Sequence, residues 1–431
     1  MTNHTHDPAA RSWIASANVA GAFDVRLLPY AVFSTADQPG HRRLGVGIGD
    51  QILDLGACAR QDICDGMVSG LSVAMQAPSL NPLLALTPEH WSALRQRLFA
   101  VLVDDEGGWR QARNAVRDAL VPMAGAQMHL PMAVGDYTDF YASIHHATNV
   151  GSMLRPEQPL FPNYRYVPIG YHGRSSSIVV SGTAIRRPWG QVLPQGETTP
   201  RFGPSQRLDY ELEVGLVIGG ENALGEPVPV ARAGERLFGM VLLNDWSARD
   251  IQAWEYQPLG PFLAKSFATS ISAWVVTAEA LAPRRVAAAA RSSGEPELLP
   301  HLCDRVDQAT GGFDVPLEVR LTSARMRAAG EPAYVVSRSN MRDLYWTPAQ
   351  LIAHHTTNGC NLRPGDLLGT GTVSGPARES GGCLLERTWR GTEPLALPTG
   401  EQRRFLEDGD EVVLSSAIVP VESRGRVAPG E

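Results

Sequence analysis

Apolar and polar residues alternate from Leu44 to Leu55 on both sides of Gly49-Asp50, which predicts a β-hairpin turning at those two residues. Thr87-Pro88-Glu89 then reads as a helix start, with Thr87 as N-cap, Pro88 in the first turn and an early acid. Trp91, Leu94, Leu98 and Val101 follow at helical spacing and predict one buried stripe. This first region reads as a small α+β domain without a chemical cluster of its own. Near residues 121–135 the pattern changes to short apolar runs broken by Gly and Pro, and we place the domain boundary there, as 1–130 and 131–431. In the second part Leu317–Ser323, Ala333–Ser337 and Glu411–Ser415 read as strands. In the first of them Leu317, Val319 and Leu321 alternate with Glu318, Arg320 and Thr322. Thr347–His355 reads as a helix, and the Arg-, Ala- and Ser-rich stretch Pro283–Pro300 as a surface excursion.

Three stretches of the second part combine that patterning with chemistry. In Asp209–Ile218 a strand would send Leu212, Val214, Leu216 and Ile218 to one face, and Glu211 with Glu213 to the other. Two carboxylates about 7 Å apart on one strand are either a solvated outer face or part of a cation site that needs further converging oxygens. Asp245 ends the apolar run Met240–Leu243. It could cap a helix over Ser247–Trp254, or line a site with Trp246 as an aromatic wall and Arg249 as a fixed cation. Gly135–Tyr141, followed by His145, His146, Asn149 and Arg155, gathers acids, tyrosines, histidines and an arginine. A general base among them needs a second group to orient its ring.

Composition narrows the function classes. With 38 cationic and 45 acidic side chains, the 431-residue chain carries a net charge of −7, too mild and of the wrong sign for nucleic acid or an anionic membrane surface. The 43% apolar and 19% charged shares fit a folded globular chain, and 42 Gly with 32 Pro favour turns and β-structure. Residues 1–11 show no signal peptide and no apolar run reaches membrane-span length, so a cytoplasmic protein with five free cysteines is expected. Of the cations only Lys265 is a lysine. It lies in the apolar run Pro258–Phe267, where a charge either reaches solvent or is buried beside acids.

Taken in order, several stretches resemble the fumarylacetoacetate hydrolase family. They are Gly49–Leu55, Asp136–Tyr141, His146–Gly151, Gly170–Arg174, Asp209–Glu213, Asn244–Gln252, Trp254–Tyr256, Pro258–Ser266 and Asn358–Leu367. The resemblance implies a mainly β chain, with a small N-terminal SH3-like α+β domain followed by a large C-terminal β-roll, paired as a homodimer. It also implies hydrolysis of a carbon–carbon bond, taking fumarylacetoacetate to fumarate and acetoacetate at the end of tyrosine and phenylalanine catabolism.

Carried over by position, the metal carboxylates would be Asp139, Glu211, Glu213 and Asp245, with Lys265 and Thr269 as weaker contacts, and the ion Mg²⁺ or Ca²⁺. The base would be His146, oriented by Glu386. Arg249, Gln252 and Lys265 would stabilise the oxyanion, and Tyr141, Arg155, Tyr171, Tyr256 and Thr372 would hold substrate. The chain departs from the family pattern at His145, and in a shorter tail after Ser415, poorer in Gly and aromatics. Acylpyruvate or fumarylpyruvate hydrolases and related decarboxylases of the same superfamily are the nearest alternative, and they usually lack the N-terminal part. A silent metal-binding β-roll is the other alternative. No nucleic-acid or membrane partner is expected.

Overall fold

The computed structural model describes residues 2–61, 63, 69–104, 109 and 112–430. The hairpin forms where the alternation placed it. Gln38–Ile48 pairs antiparallel with Gln51–Asp54, and Gly49 takes φ +59, a left-handed conformation that glycine reaches without Cβ strain. These strands belong to a five-stranded sheet completed by Leu120–Pro122, Tyr30–Thr35 and Ala126–His129. The helix Pro88–Leu102 begins after Thr87, whose hydroxyl engages the Glu89 and His90 side chains and makes no hydrogen bond to the helix backbone. Its stripe of Trp91, Leu94, Leu98 and Val101 is buried, as its spacing predicts.

The larger part is built on two sheets. An eight-stranded mixed sheet carries, in order, Gly170–His172, Tyr137–Phe140, Leu367–Gly369, Leu212–Ile218, Leu237–Asp245, Thr269–Ile271 and Ile178–Val180, with Val276–Thr277 added to Leu237–Asp245. A five-stranded sheet runs Tyr334–Asn340, Pro316–Thr322, Glu411–Ser416, Glu422–Ala428 and Ala184–Arg186. The chain is mainly β, and the tail after Ser415 supplies the strand Glu422–Ala428.

Strand alternation then decides what each face of the large sheet meets. Leu212, Val214, Leu216 and Ile218 share an apolar cluster with Leu317, Val319, Leu321, Val412 and Leu414 of the five-stranded sheet. On the opposite face Val217, Val241, Leu243 and Ile271 join Val32, Leu44, Val46, Leu94 and Leu98 of the N-terminal region. Every residue of Leu212–Ile218 is buried, so a solvated outer face for this strand is ruled out. Glu211, Glu213 and Asp245 share that second face with Val217 and Val241 but lie at the other end of the strands. The N-terminal region covers the apolar end, and the carboxylates occupy the remainder.

Local details differ from the sequence reading in a few places. The strand breaks at Tyr210–Glu211, and Ser247–Ala248 forms a two-residue strand, so the helix starts later and spans Arg249–Glu255. Trp246 points into the core, fully buried, with its indole N–H on Ser270 Oγ at 2.8 Å, and it forms no wall of the site. Within Pro283–Pro300, Arg291 stacks on Tyr345 and Trp346, which pins that excursion to the body. Cys303, Cys360 and Cys383 are free thiols, Cys58 is buried, and Cys64 lies outside the described residues. Among the described residues no helix is long and apolar enough to cross a membrane.

Candidate active site

Four carboxylates converge from Tyr137–Phe140, Leu212–Ile218 and Leu237–Asp245, with Glu211 just ahead of the second and Leu367–Gly369 lying between the first two. Asp139, Glu211, Glu213 and Asp245 each offer an oxygen, all within 4.8 Å of one another, and all four residues are buried. Two glycines let them approach. A Cβ on Gly369 would lie 2.5 Å from Asp139 Oδ1 and 3.0 Å from Glu213 Oε2. Gly371, at φ +74, donates its N–H to Asp139 Oδ1 at 3.2 Å and to Glu213 Oε2 at 3.1 Å. Any other residue at 371 would be strained in that conformation.

Lys265 closes the cluster from the side. Its Nζ donates to Glu211 Oε2 and to Asp245 Oδ2, both at 2.6 Å, and the side chain is buried. Of the two options for a charge in that run, burial beside acids is the one realised. Tyr171 Oη donates to Asp245 Oδ2 at 3.1 Å and Thr269 Oγ1 to Asp245 Oδ1 at 3.4 Å. Arg249 sends Nη1 to Glu211 Oε1 at 2.7 Å and to Gln252 Oε1 at 3.1 Å. Its Nη2 is buried without an acceptor among the described residues.

The charge balance is uneven across the cluster. Burial alone would raise Glu211, but Lys265 and Arg249 outweigh it and hold this carboxyl well below the usual range. Burial would likewise lower Lys265, and Asp245 with Glu211 reverse that and raise it. Asp139 has no cation of its own, so burial and the Asp245 charge push it up to about 8. Glu213 is driven well upward by burial and by Asp139, and its Oε1 accepts no hydrogen bond among the described residues.

A buried, unpartnered carboxylate oxygen facing three other carboxylates is what a hard cation would satisfy. Metal–oxygen bonds of about 2.1–2.5 Å put opposite ligands ~4–5 Å apart, which the observed spacing accommodates. The four residues therefore fit one oxygen-ligated divalent ion, and an all-carboxylate set disfavours zinc.

Beside the cluster lies a His–Glu pair. His146 sits in the helix Ile144–Leu154, whose N-cap Ser143 accepts from the His146 N–H. Glu386 sits in the short helix Leu384–Arg387. His146 Nδ1 and Glu386 Oε2 are 2.7 Å apart and both side chains are buried. Asn149 Nδ2 and Ser374 Oγ each donate to Glu386 at 2.8 Å, and Cys383 Sγ lies 3.2 Å from Glu386 Oε2. Burial would raise Glu386, but His146 and these hydrogen bonds bring it down to about 2. The carboxylate is thus an acceptor only, so Nδ1 is the donor in this pair, and the tautomer it selects carries its lone pair on Nε2. His145 is half-buried and takes no part in this pairing.

A depressed carboxyl has a defined pH signature. Ionised Glu386 adds stability that is fully present above the ordinary value of 4.5 and lost as pH falls toward about 2. The stability gap between wild type and Glu386→Gln, measured by urea unfolding, is therefore expected to shrink from about pH 5 to about pH 2. A gap that stays constant over that range contradicts the assignment.

Of the remaining residues singled out in the sequence, Tyr141 packs edge-on against His146 with ring centres 5.3 Å apart. Arg155 lies near Tyr141 and stacks on Phe161 at 4.1 Å, with no carboxylate in its fork among the described residues. Thr372 is buried with its hydroxyl unpartnered among the described residues, and Tyr256 is exposed and bonded to Gln257. The structure does not bring Arg155, Thr372 or Tyr256 into hydrogen-bond contact with the cluster.

One residue of the site was passed over in the sequence. Asp209, fully buried, accepts from Arg249 Nε at 3.0 Å and from the N–H groups of Leu384 at 2.8 Å and Leu385 at 2.9 Å. It fixes Arg249 and the helix bearing Glu386 to one point. Asp209 continues the alternation of Glu211 and Glu213, but only its distant partners reveal its role.

The family profile described as fumarylacetoacetate (FAA) hydrolase C-terminal matches residues 136–425, and the one described as fumarylacetoacetase N-terminal matches residues 26–131. The chain belongs to the fumarylacetoacetate hydrolase family.

Among similar members of that family, the fumarylacetoacetase of Bos taurus is 48% identical over 394 residues, covering 91% of each chain. That of Homo sapiens is 46% identical with the same coverage, and that of Caenorhabditis elegans is 47% identical over 95% of this chain and 97% of its own. The fold is shared more widely. A putative HpcE protein from Mycobacterium smegmatis superposes with a TM-score of 0.52 at 20% identity, over 93% of this chain and 99% of its own. The fumarylacetoacetate hydrolase from Exiguobacterium antarcticum gives 0.51 at 15%, with the same coverage.

Proposed function

We propose that this chain hydrolyses fumarylacetoacetate to fumarate and acetoacetate, the closing step of tyrosine and phenylalanine catabolism, as a cytoplasmic homodimer. The observation that carries the reading is the His146–Glu386 pair set beside four buried carboxylates and Lys265. High-coverage similarity to fumarylacetoacetases along both parts of the chain supports it.

In this reading His146 Nε2 takes a proton from water, and Glu386 steadies the ring and the imidazolium that forms. The hydroxide adds to the ketone carbonyl next to the alkene. Lys265 Nζ and Arg249 Nη2 donate to the oxyanion, with Gln252 fixing the guanidinium. The bond to the neighbouring methylene then breaks, and its electron pair passes into the adjacent carbonyl as an enolate. The imidazolium returns its proton to that carbon, so the base ends neutral. Tyr141, Arg155, Tyr171, Tyr256 and Thr372 are assigned to holding substrate, with Arg155 suited to a carboxylate. A Mg²⁺ or Ca²⁺ ion held by Asp139, Glu211, Glu213 and Asp245 would supply Lewis-acid polarisation of the diketone oxygens.

The decisive assay follows loss of the ultraviolet absorbance of fumarylacetoacetate, with and without EDTA. Turnover is expected to vanish with chelation and return with Mg²⁺ or Ca²⁺, and the thermal midpoint should fall on chelation because buried carboxylates lose their counter-ion. Activity and midpoint unaffected by exhaustive chelation would overturn the metal assignment. No turnover of fumarylacetoacetate in the metal-loaded enzyme would overturn the substrate.

A further inference from the structure

A pocket reaches the carboxylate cluster at Asp245. Its volume is about 160 Å³, with Asp245, Lys265 and Thr269 on its buried wall and His172, Arg174 and Phe262 on its exposed wall. Neither Tyr141 nor Arg155 lines it. It is smaller than the roughly 300–1,000 Å³ of a cofactor or drug-sized site, and suits one short arm of a substrate.

Its electrostatics select the charge of that arm. Among the described residues the only acid lining the pocket is Asp245, already engaged by Lys265 and Tyr171. At the outer wall Arg174 is exposed, makes no ion pair among the described residues, and commits only Nε, to Ser176 Oγ at 2.8 Å. The Nη1 and Nη2 edge is left for an acceptor that no described residue supplies, and a guanidinium edge matches a carboxylate.

The turn that presents Arg174 is fixed. Gly173 donates its N–H to the Tyr137 carbonyl at 2.8 Å, and a Cβ there would lie 2.2 Å from the Tyr137 ring, so the loop is pressed flat against a buried aromatic. Ser177 Oγ donates to the Arg174 carbonyl at 3.3 Å. Phe262 gives the pocket an apolar side, as the carbons of an unsaturated arm require.

We propose that this pocket receives the acyl arm of the substrate and that Arg174 binds the carboxylate at its end, opposite the carboxylate assigned to Arg155. This rests on the reading that the substrate is a diketo acid charged at both ends. Arg174 would then set specificity for dianionic over monoanionic substrates.

The test uses metal-loaded full-length enzyme and two probes of the released acyl product, fumarate and crotonate, which carries a methyl where fumarate has its second carboxylate. Calorimetry of Arg174→Gln is expected to show fumarate binding weakened about ten-fold or more and crotonate binding changed less than about two-fold, as for loss of one charge-assisted pair. Arg174→Lys should recover part of the fumarate affinity. In turnover, Arg174→Gln should lower kcat/KM for fumarylacetoacetate but not for 3,5-dioxohexanoate, whose acyl arm ends in methyl. Equal weakening of both probes, or of neither, overturns the inference. Failure of the wild type to hydrolyse fumarylacetoacetate, read in a separate assay, overturns the substrate reading beneath it.

Discussion

Replacing His146 by Ala is expected to lower kcat for fumarylacetoacetate by about 10²–10⁴-fold, the usual worth of a positioned general base, with little change in KM. The geometry makes the prediction stricter than a loss of rate. Nδ1 is tied to Glu386, and Asn149 and Ser374 hold that carboxylate in place. The two residues act as one unit, so Glu386→Gln should lower kcat on its own, yet add little once His146 is gone. Steady-state rates of the two single variants and the double variant measure this directly. Multiplicative losses, or a His146→Ala enzyme within about three-fold of wild type, would remove His146 from the chemistry.

Lys265→Ala is expected to lower kcat by about 10²–10³-fold, the order found for loss of one oxyanion donor. The variant should differ from wild type in a second way. Lys265 compensates Glu211 and Asp245 inside the protein, and deleting one partner of a buried pair costs about 3–5 kcal/mol because the other charge is stranded. The metal-free variant should therefore melt well below metal-free wild type. Added Mg²⁺ or Ca²⁺ should narrow the gap, since the ion supplies the missing positive charge. Lys265→Arg should restore stability better than turnover, because a guanidinium can still pair with Glu211 and Asp245 but its bulkier planar fork cannot set a compact donor at the oxyanion. Near-normal kcat in Lys265→Ala would sink the assignment, and a melting gap indifferent to the ion would show that the pairing with Glu211 and Asp245 is not what stabilises the site.

Most of the elements were legible in the sequence because their signals are local. The hairpin at Gly49, the stripe on Pro88–Leu102 and the strand Pro316–Thr322 each follow from residue spacing within a dozen positions. What the Glu211 and Glu213 face would meet was not legible, because it depends on how another part of the chain packs. The N-terminal region covers one end of that face, and Asp139 and Asp245 meet the other. Trp246 misled for a related reason. Its neighbours are polar and reactive, but strand alternation turns it to the face opposite Asp245.

The family motifs offered candidate site residues by position, and the structure shows contacts around them that local reading could not. Ser374, Cys383 and Asn149 converge on Glu386, and Asp209 ties Arg249 to the Leu384–Arg387 helix across 175 and 176 residues of chain. Such contacts have no periodicity to announce them. Gly369 and Gly371 are equally quiet in the sequence, although a side chain at 369 would press on Asp139 and Glu213 and one at 371 would strike the Phe140 carbonyl.

The burial of Lys265 also turns the molecule into its own conformational reporter. A lysine-specific protease has one internal cleavage point in the whole chain, and the folded protein keeps it enclosed. Cutting there requires the segment to leave its carboxylate partners first, so the appearance of two fragments on a gel clocks the opening of this one site. Any ligand that tightens the site should slow that clock, whether or not turnover is being followed.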